Sequence, residues 1–238
     1  MNYYGFPKYK SVGEKKAKAS KAFEKLKKKN PDIEPIIIEG STIAKSWWGK
    51  AWNLNLESYA DYSNRISRGK SYVRSNAVLD LKISKGNVEA KVQGGSTKPY
   101  DVRIRIDALN NKKWEQVTTL CNHKIDSLEQ LIEGKFPKEL EVLFTERKYG
   151  MFPSPEEIHF DCSCPDWASM CKHVAAVLYG IGARLDKNPM LFFELRNLEG
   201  QELVSKSMER KLESMLKNAG KKSKREIPNE DISDIFGL

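Results

Sequence analysis

Long hydrophobic runs are missing from this 238-residue chain: the longest, Val174 to Leu178, stops after five residues, far short of the roughly 20 that a membrane-spanning helix needs. The N-terminus, MNYYGFPKYK, lacks the apolar core of a secretory signal. A phosphate loop is also lacking. Gly94-Gly95-Ser96-Thr97-Lys98 departs from the G-x-x-x-x-G-K-[ST] spacing and leads into a strand pattern, which argues against an ATP site. Cysteine stops at four and histidine at three. These absences leave a chain with no membrane partner and no small-molecule substrate. Its thiols suit the reducing cytoplasm.

What is present is concentrated in Ile158 to Asp186. Cys162, Cys164, Cys171 and His173 are spaced C-x-C-x6-C-x-H. Three thiolates and one imidazole within twelve residues are the donor set of a tetrahedral Zn²⁺ site. Phe160 to Cys164 reads as a short strand, whose alternation puts Cys162 and Cys164 on one side. Pro165 and Asp166 open a turn. Val174, Val177, Leu178 and Ile181 recur at helical spacing, so Cys171 and His173 fall in the first turn of a helix. With all four positions filled by protein, no place is left for a catalytic water, and the metal is a fold element. His159 alternates to the other side from Cys162 and is not a ligand. Cys121-x-His123 has no further cluster to complete it and reads as a buried core cysteine.

These residues resemble the SWIM zinc finger: C-x-C and C-x-H, Pro-Asp-Trp after the second cysteine, and Cys-Lys-His-Val-Ala-Ala entering the helix. The similarity to bacterial SWIM zinc finger proteins extends to Trp47 through Trp52, Asn64 through Arg74 and Met151 through Pro155, so that it covers about residues 35–200. It implies zinc binding at Cys162, Cys164, Cys171 and His173, and a binding role with nucleic acid or a protein as partner. Such proteins are often encoded beside Swi/Snf-type helicases, which implies a DNA-dependent ATPase as an associate. It implies no known reaction.

Charge is divided unevenly along the chain. Residues 1–30 carry a net +8 and 61–113 a net +7, whereas 31–60 carry −2, 114–200 carry −5 and 201–238 carry +1. Phosphate-facing charge is therefore expected outside the zinc half. Residues 1–34 read as a basic flexible tail with a nascent helix around Ala19, Phe23 and Leu26, either solvated or acting as an electrostatic arm. Tyr62 to Arg74 reads as a basic loop, with Arg65, Arg68, Lys70 and Arg74 for phosphates and Tyr72 for a base. The bland alternative is a polar connection with its arginines in solvent. The favoured partner is nucleic acid, DNA ahead of RNA.

Ile36 to Ile38 reads as a first strand, and Trp47, Trp48 and Trp52 read better as a core wedge than as a stacking platform. Period-two alternation over Val78–Ile83, Asn87–Val92 and Tyr100–Ile106, with a hairpin signal at Ser84-Lys85-Gly86, predicts a three-strand meander. Its charged face carries Arg103 and Arg105, which could extend the basic surface. Asp80 with Glu89 and Lys91 faintly resembles a metal-dependent nuclease centre, although alternation on an amphipathic strand explains those residues as well. Residues 111–148 read as three short helices.

The resulting class is α+β, and the protein is expected not to be an enzyme. It divides into a basic tail at 1–34, a β-rich part at 35–110, a helical region with the finger (158–186) at 111–200, and a C-terminal helix and tail at 201–238. The last twelve residues read either as a loose end or as a docking peptide for a protein partner, with Ile232, Ile235 and Phe236 as its anchors. A protein–protein adaptor without nucleic-acid contact is the alternative function, and the nuclease a remote third.

Overall fold

A computed structural model describes residues 11–59, 63–121, 124–125, 127–147, 150–166, 168 and 170–219. The expected alternation is realised as β1 (Val78–Ser84), β2 (Asn87–Val92) and β3 (Tyr100–Ile106). Gly86 turns the first hairpin with φ of 69°, a conformation open to glycine because it has no Cβ. The finger strand, β4 (Ile158–Cys162), then pairs antiparallel with β3, and the sheet runs β1-β2-β3-β4. Val88, Ala90, Val102 and Ile104 point to the buried face.

Ile36 to Ile38 departs from expectation. The segment is extended but joins no ladder; only Ile36 N–H donates to Val78 O and Leu81 N–H to Glu34 O, at 3.1 and 2.9 Å. A register shift between Val78 and Asp80 breaks the regular spacing that a further strand would need. The segment instead covers the β1 edge and buries Asp80, whose carboxylate accepts from Glu34 N–H at 2.8 Å.

Nine helices surround the sheet among the described residues. α1 (Val12–Lys29) corrects the expectation of a flexible tail over those residues: a Ser11/Glu14 capping box starts it, and Ala19 is buried where the helix meets β1. Residues 1–10 lie outside the described residues. α2 (Trp47–Glu57) is the core wedge. Trp48 and Trp52 are fully buried, and their indole N–H groups donate to Leu131 O and Leu178 O at 2.7 and 2.8 Å. Trp47 packs edge-on against Phe136.

α3 (Ser63–Arg74) corrects the basic loop: the stretch is a helix, packed along α7 (Lys172–Leu185). Gly69 permits the approach, because a Cβ there would lie 2.5 Å from the Ala175 side chain. Polar, glycine-bearing sequence suggested a loop; the absent side chain is what lets two helix backbones touch. α4 (Asn111–Leu120), α5 (Leu128–Glu133) and α6 (Lys138–Thr145) fall where expected, with Ser127 capping α5 and Gly134 ending it at φ 66°. α8 (Met190–Leu195) and α9 (Gly200–Ala219) complete the chain as described. α7 is the central element. It packs on α2, α3 and all four strands, and one apolar cluster runs from Ile36 to Val204. No described helix is long and apolar enough to cross a membrane.

Candidate metal centre

The four ligand residues converge because a strand end meets a helix start. Cys162 sits opposite Val102 on the buried side of the sheet, facing α7. Ser163 stays paired, its N–H donating to Asp101 O and its Oγ accepting from Asp101 N–H, at 3.0 and 2.9 Å. The strand ends at Cys162, short of the expected Phe160 to Cys164, and Cys164 is brought to the cluster by the bend that follows. Cys171 occupies the N-cap of α7, and His173 lies in its first turn. The sulfur and nitrogen atoms of all four lie within 4.8 Å of one another. His173 Nδ1 is 3.8 Å from Cys171 Sγ and 4.0 Å from Cys162 Sγ. A tetrahedral ion with metal–sulfur bonds near 2.3 Å keeps its ligands about 3.8 Å apart, so the residues fit a four-coordinate thiolate–imidazole site.

The thiols are not equivalent. Cys171 is held well below an ordinary thiol, to about 3, first by the hydrogen bond it receives from Cys162, then by His173 and by the backbone N–H groups of Val174 and His173. Cys162 is pushed up by the same shared hydrogen bond and then by burial. Burial also raises Cys164. The start of α7 therefore favours one thiolate before any ion binds.

The surroundings fix the imidazole. Tyr100 lies against His173 with centroids 4.6 Å apart, and Tyr72 meets it edge-on at 5.3 Å. Nε2 is buried and has no hydrogen-bond partner among the described residues. It faces Gly94, where a Cβ would lie 2.6 Å from Nε2 and 2.5 Å from the Tyr100 ring. Lys18 of α1 clamps the same turn, its ammonium donating to the carbonyls of Gly94, Gly95 and Ser96 at 2.9, 2.8 and 2.9 Å. Sequence reasoning missed Lys18, Gly94 and Tyr100, because each reaches the site only through tertiary contact.

The residues read as nucleic-acid contacts are scattered, and most are engaged within the molecule. Arg65 reaches across to the finger turn and pairs with Asp166 at 3.0 Å. Lys70 pairs with Glu57 at 2.8 Å and lies over the Tyr179 ring; Tyr179 O–H donates to the same carboxylate. Arg74 donates to Ser41 O at 3.0 Å. Tyr72 is half-buried, its hydroxyl pKa raised by burial and then by Tyr100, and it forms a wall of the metal centre. Arg68 is exposed, and its charge is felt by Tyr72. Arg103 and Arg105 stand on the outer sheet face near Asp161 and Asp107, at 4.0 and 3.7 Å. That face alternates in sign: Lys82 sits opposite Glu89, Glu89 opposite Arg103 and Arg103 opposite Asp161. It extends no basic surface. Exposed lysines gather instead on α1, at Lys16, Lys21, Lys25, Lys27, Lys28 and Lys29.

The remaining expectations resolve simply. His159 points outward to Asp107, at 3.0 Å, as alternation required. Cys121 is fully buried, its thiol pushed up to about 12 by burial. His123, Trp167 and the peptide 226–238 lie outside the described residues. Asp80, Glu89 and Lys91 line one groove on the outer sheet face, where Asp80 accepts from Glu34 N–H and Lys91 pairs with Asp101. Among the described residues no other group of three His, Cys, Asp or Glu side chains gathers as Cys162, Cys164, Cys171 and His173 do.

No family model matches the chain, and no solved structure matches it. A curated relative does: the chain is 34% identical over 184 residues to the uncharacterized protein Rv2102 of Mycobacterium tuberculosis. The match covers 74% of this chain and 66% of the relative, so the chain spans just under two thirds of that protein's length.

Proposed function

We propose that this protein is a zinc-stapled, SWIM-type nucleic-acid-binding protein that acts beside a Swi/Snf-type DNA-dependent ATPase in the cytoplasm. Three thiolates and an imidazole at tetrahedral spacing suit Zn²⁺ among the common ions. Four protein ligands leave no open position for a bound water, which favours a structural metal and a binding role over catalysis. The ATPase partner rests on the resemblance of the finger and its flanking motifs.

The observation that carries the nucleic-acid reading is the place of α1. Lys18 fixes this helix to the turn that backs His173, and the helix carries six exposed lysines. Charge separated from the finger in sequence is thereby brought beside it. Lysines along one helix suit a run of phosphates, which points to sequence-independent contact with a DNA backbone.

Fluorescence anisotropy with labelled duplex and single-stranded oligonucleotides, over a salt series, tests this. Wild type is expected to bind. When Lys16, Lys21, Lys25, Lys28 and Lys29 are changed to Gln, the log–log salt slope should become shallower by about 0.9 for each phosphate that is no longer neutralised. Changing Arg103 and Arg105 to Ala should leave binding unchanged. Failure of wild type to bind at low salt would discard the reading. A protein adaptor is the second reading, favoured by apolar surface on α9.

A further inference from the structure

Exposed apolar side chains gather at two places in the C-terminal half. On α9, Met208, Leu212, Met215 and Leu216 are 55–66% exposed, and their i, i+4, i+7, i+8 spacing puts them on one stripe. Between α4 and α6 runs an open groove of about 1180 Å³. Leu120, 53% exposed, stands on one wall, and Val142, 65% exposed, on the other. Glu115, Glu139 and Glu146 edge the groove, with Lys112 the one cation among the described residues that line it.

We propose that the stripe of α9 seats in the α4–α6 groove of a second copy of this chain, and that the two copies do so reciprocally. The lengths agree. The α4 wall from Lys112 to Leu120 and the stripe from Met208 to Leu216 are each eight residue steps, about 12 Å of helix. The charges agree as well: from residue 206 to its end at 219 the helix holds four basic and two acidic residues, a net +2, and the rim of the groove is acidic. Among the described residues, α9 of the same chain does not fill the groove. α9 leaves its own α4 through its first turns, where Leu203 is buried and Trp114 Nε1 donates to Glu202 at 3.0 Å, and the helix continues with the stripe uncovered. One helix in one groove is a small contact. Two reciprocal seats bring the buried area toward the roughly 1,200–2,000 Å² of a stable interface, and a two-fold pair is the usual closed arrangement of identical chains.

Sedimentation equilibrium of the full, metal-loaded chain, without nucleic acid, tests this independently of the proposed function. A concentration-dependent dimer is expected at micromolar protein. Leu212→Glu with Met215→Glu on the helix, and separately Val142→Glu in the groove, should each weaken it by about 30-fold or more, as removal of one buried anchor does. All three positions are exposed in the single chain, so circular dichroism should be unchanged. Mixing the helix variant with the groove variant should give association tighter than either variant alone, through the one intact seat, and weaker than wild type, which has two. A wild type that stays monomeric, a dimer that survives either variant, or a mixture that associates no more tightly than either variant alone would overturn the proposal.

Discussion

At the scale of single residues, the metal centre depends on one side chain that is absent. Gly94 leaves room for the His173 ring, and any Cβ there would lie within 3 Å of Nε2 and of Tyr100. Gly94→Ala should therefore tilt the imidazole away from the thiols. Outer contacts that orient a ligand are commonly worth about 10–100-fold in metal affinity, and a weakening of that order is expected in competition with a chromophoric chelator. Unchanged affinity would mean that the ring has freedom the packing does not suggest. The thiols differ by their surroundings. Cys121 is sealed in the core with its pKa pushed up to about 12, whereas Cys171 is lowered to about 3. A thiol reagent added with a chelator should modify Cys171 ahead of the half-buried Cys162 and Cys164, whose thiols are raised, and spare the fully buried Cys121 until the protein is denatured; mass spectrometry of the labelled peptides reads this directly. The ligand spacing was legible because all four residues are local in sequence. Gly94 and Tyr100 were not, since their proximity arises from the fold of β2 and β3.

Among the elements, the join between α8 and the sheet rests on a buried charge. Arg196 is fully buried; its guanidinium donates to Asp107 O and pairs with Glu157, both at 2.7 Å. Burial by itself raises the pKa of Glu157. The Arg196 hydrogen bond, the Ser154 N–H and the Arg196 charge outweigh it and leave the carboxyl below its ordinary 4.5. A depressed carboxylate adds stability that is present above the unfolded value and is lost as pH falls through the folded one. Urea unfolding should thus show stability falling as pH drops through and below about 4.5, and Glu157→Gln should flatten that part of the profile. Arg196→Ala should cost about 3 kcal/mol near neutral pH, because it strips a buried pair of one partner. A cost below about 1 kcal/mol would place the pair with ordinary surface bridges.

α3 shows where reading elements from sequence stops. Its cations and glycine spelled a polar loop, and its hydrophobic content is too low to announce a buried helix. The helix is held instead by Gly69 against Ala175, by Arg65 to Asp166 and by Lys70 to Glu57. The three helices over 111–148 were readable, because their caps and apolar spacing lie within each segment.

For the whole molecule, the finger is part of the sheet. β4 is its fourth strand, and α7 packs across the others within one apolar cluster. Removing the metal should therefore act on the entire core. Chelation is expected to lower the melting temperature in a single transition, with strand and helix signals lost together, by the mass-action stabilisation that a ligand of the native state confers. Two transitions, with the sheet unaffected by chelator, would show that sheet and finger fold apart.

By itself the sequence determined the Cys/His cluster that could hold a metal ion, the α+β class, the hairpin and the short helices, because each follows from local spacing, alternation or capping. The tertiary structure alone decided that β4 joins the sheet, that α3 is a buried-side helix, and that the lysines of α1 lie beside the metal centre. Those outcomes depend on contacts between residues far apart in the chain, such as Lys18 with Gly94 and Arg65 with Asp166, and on a core that only the packed elements create.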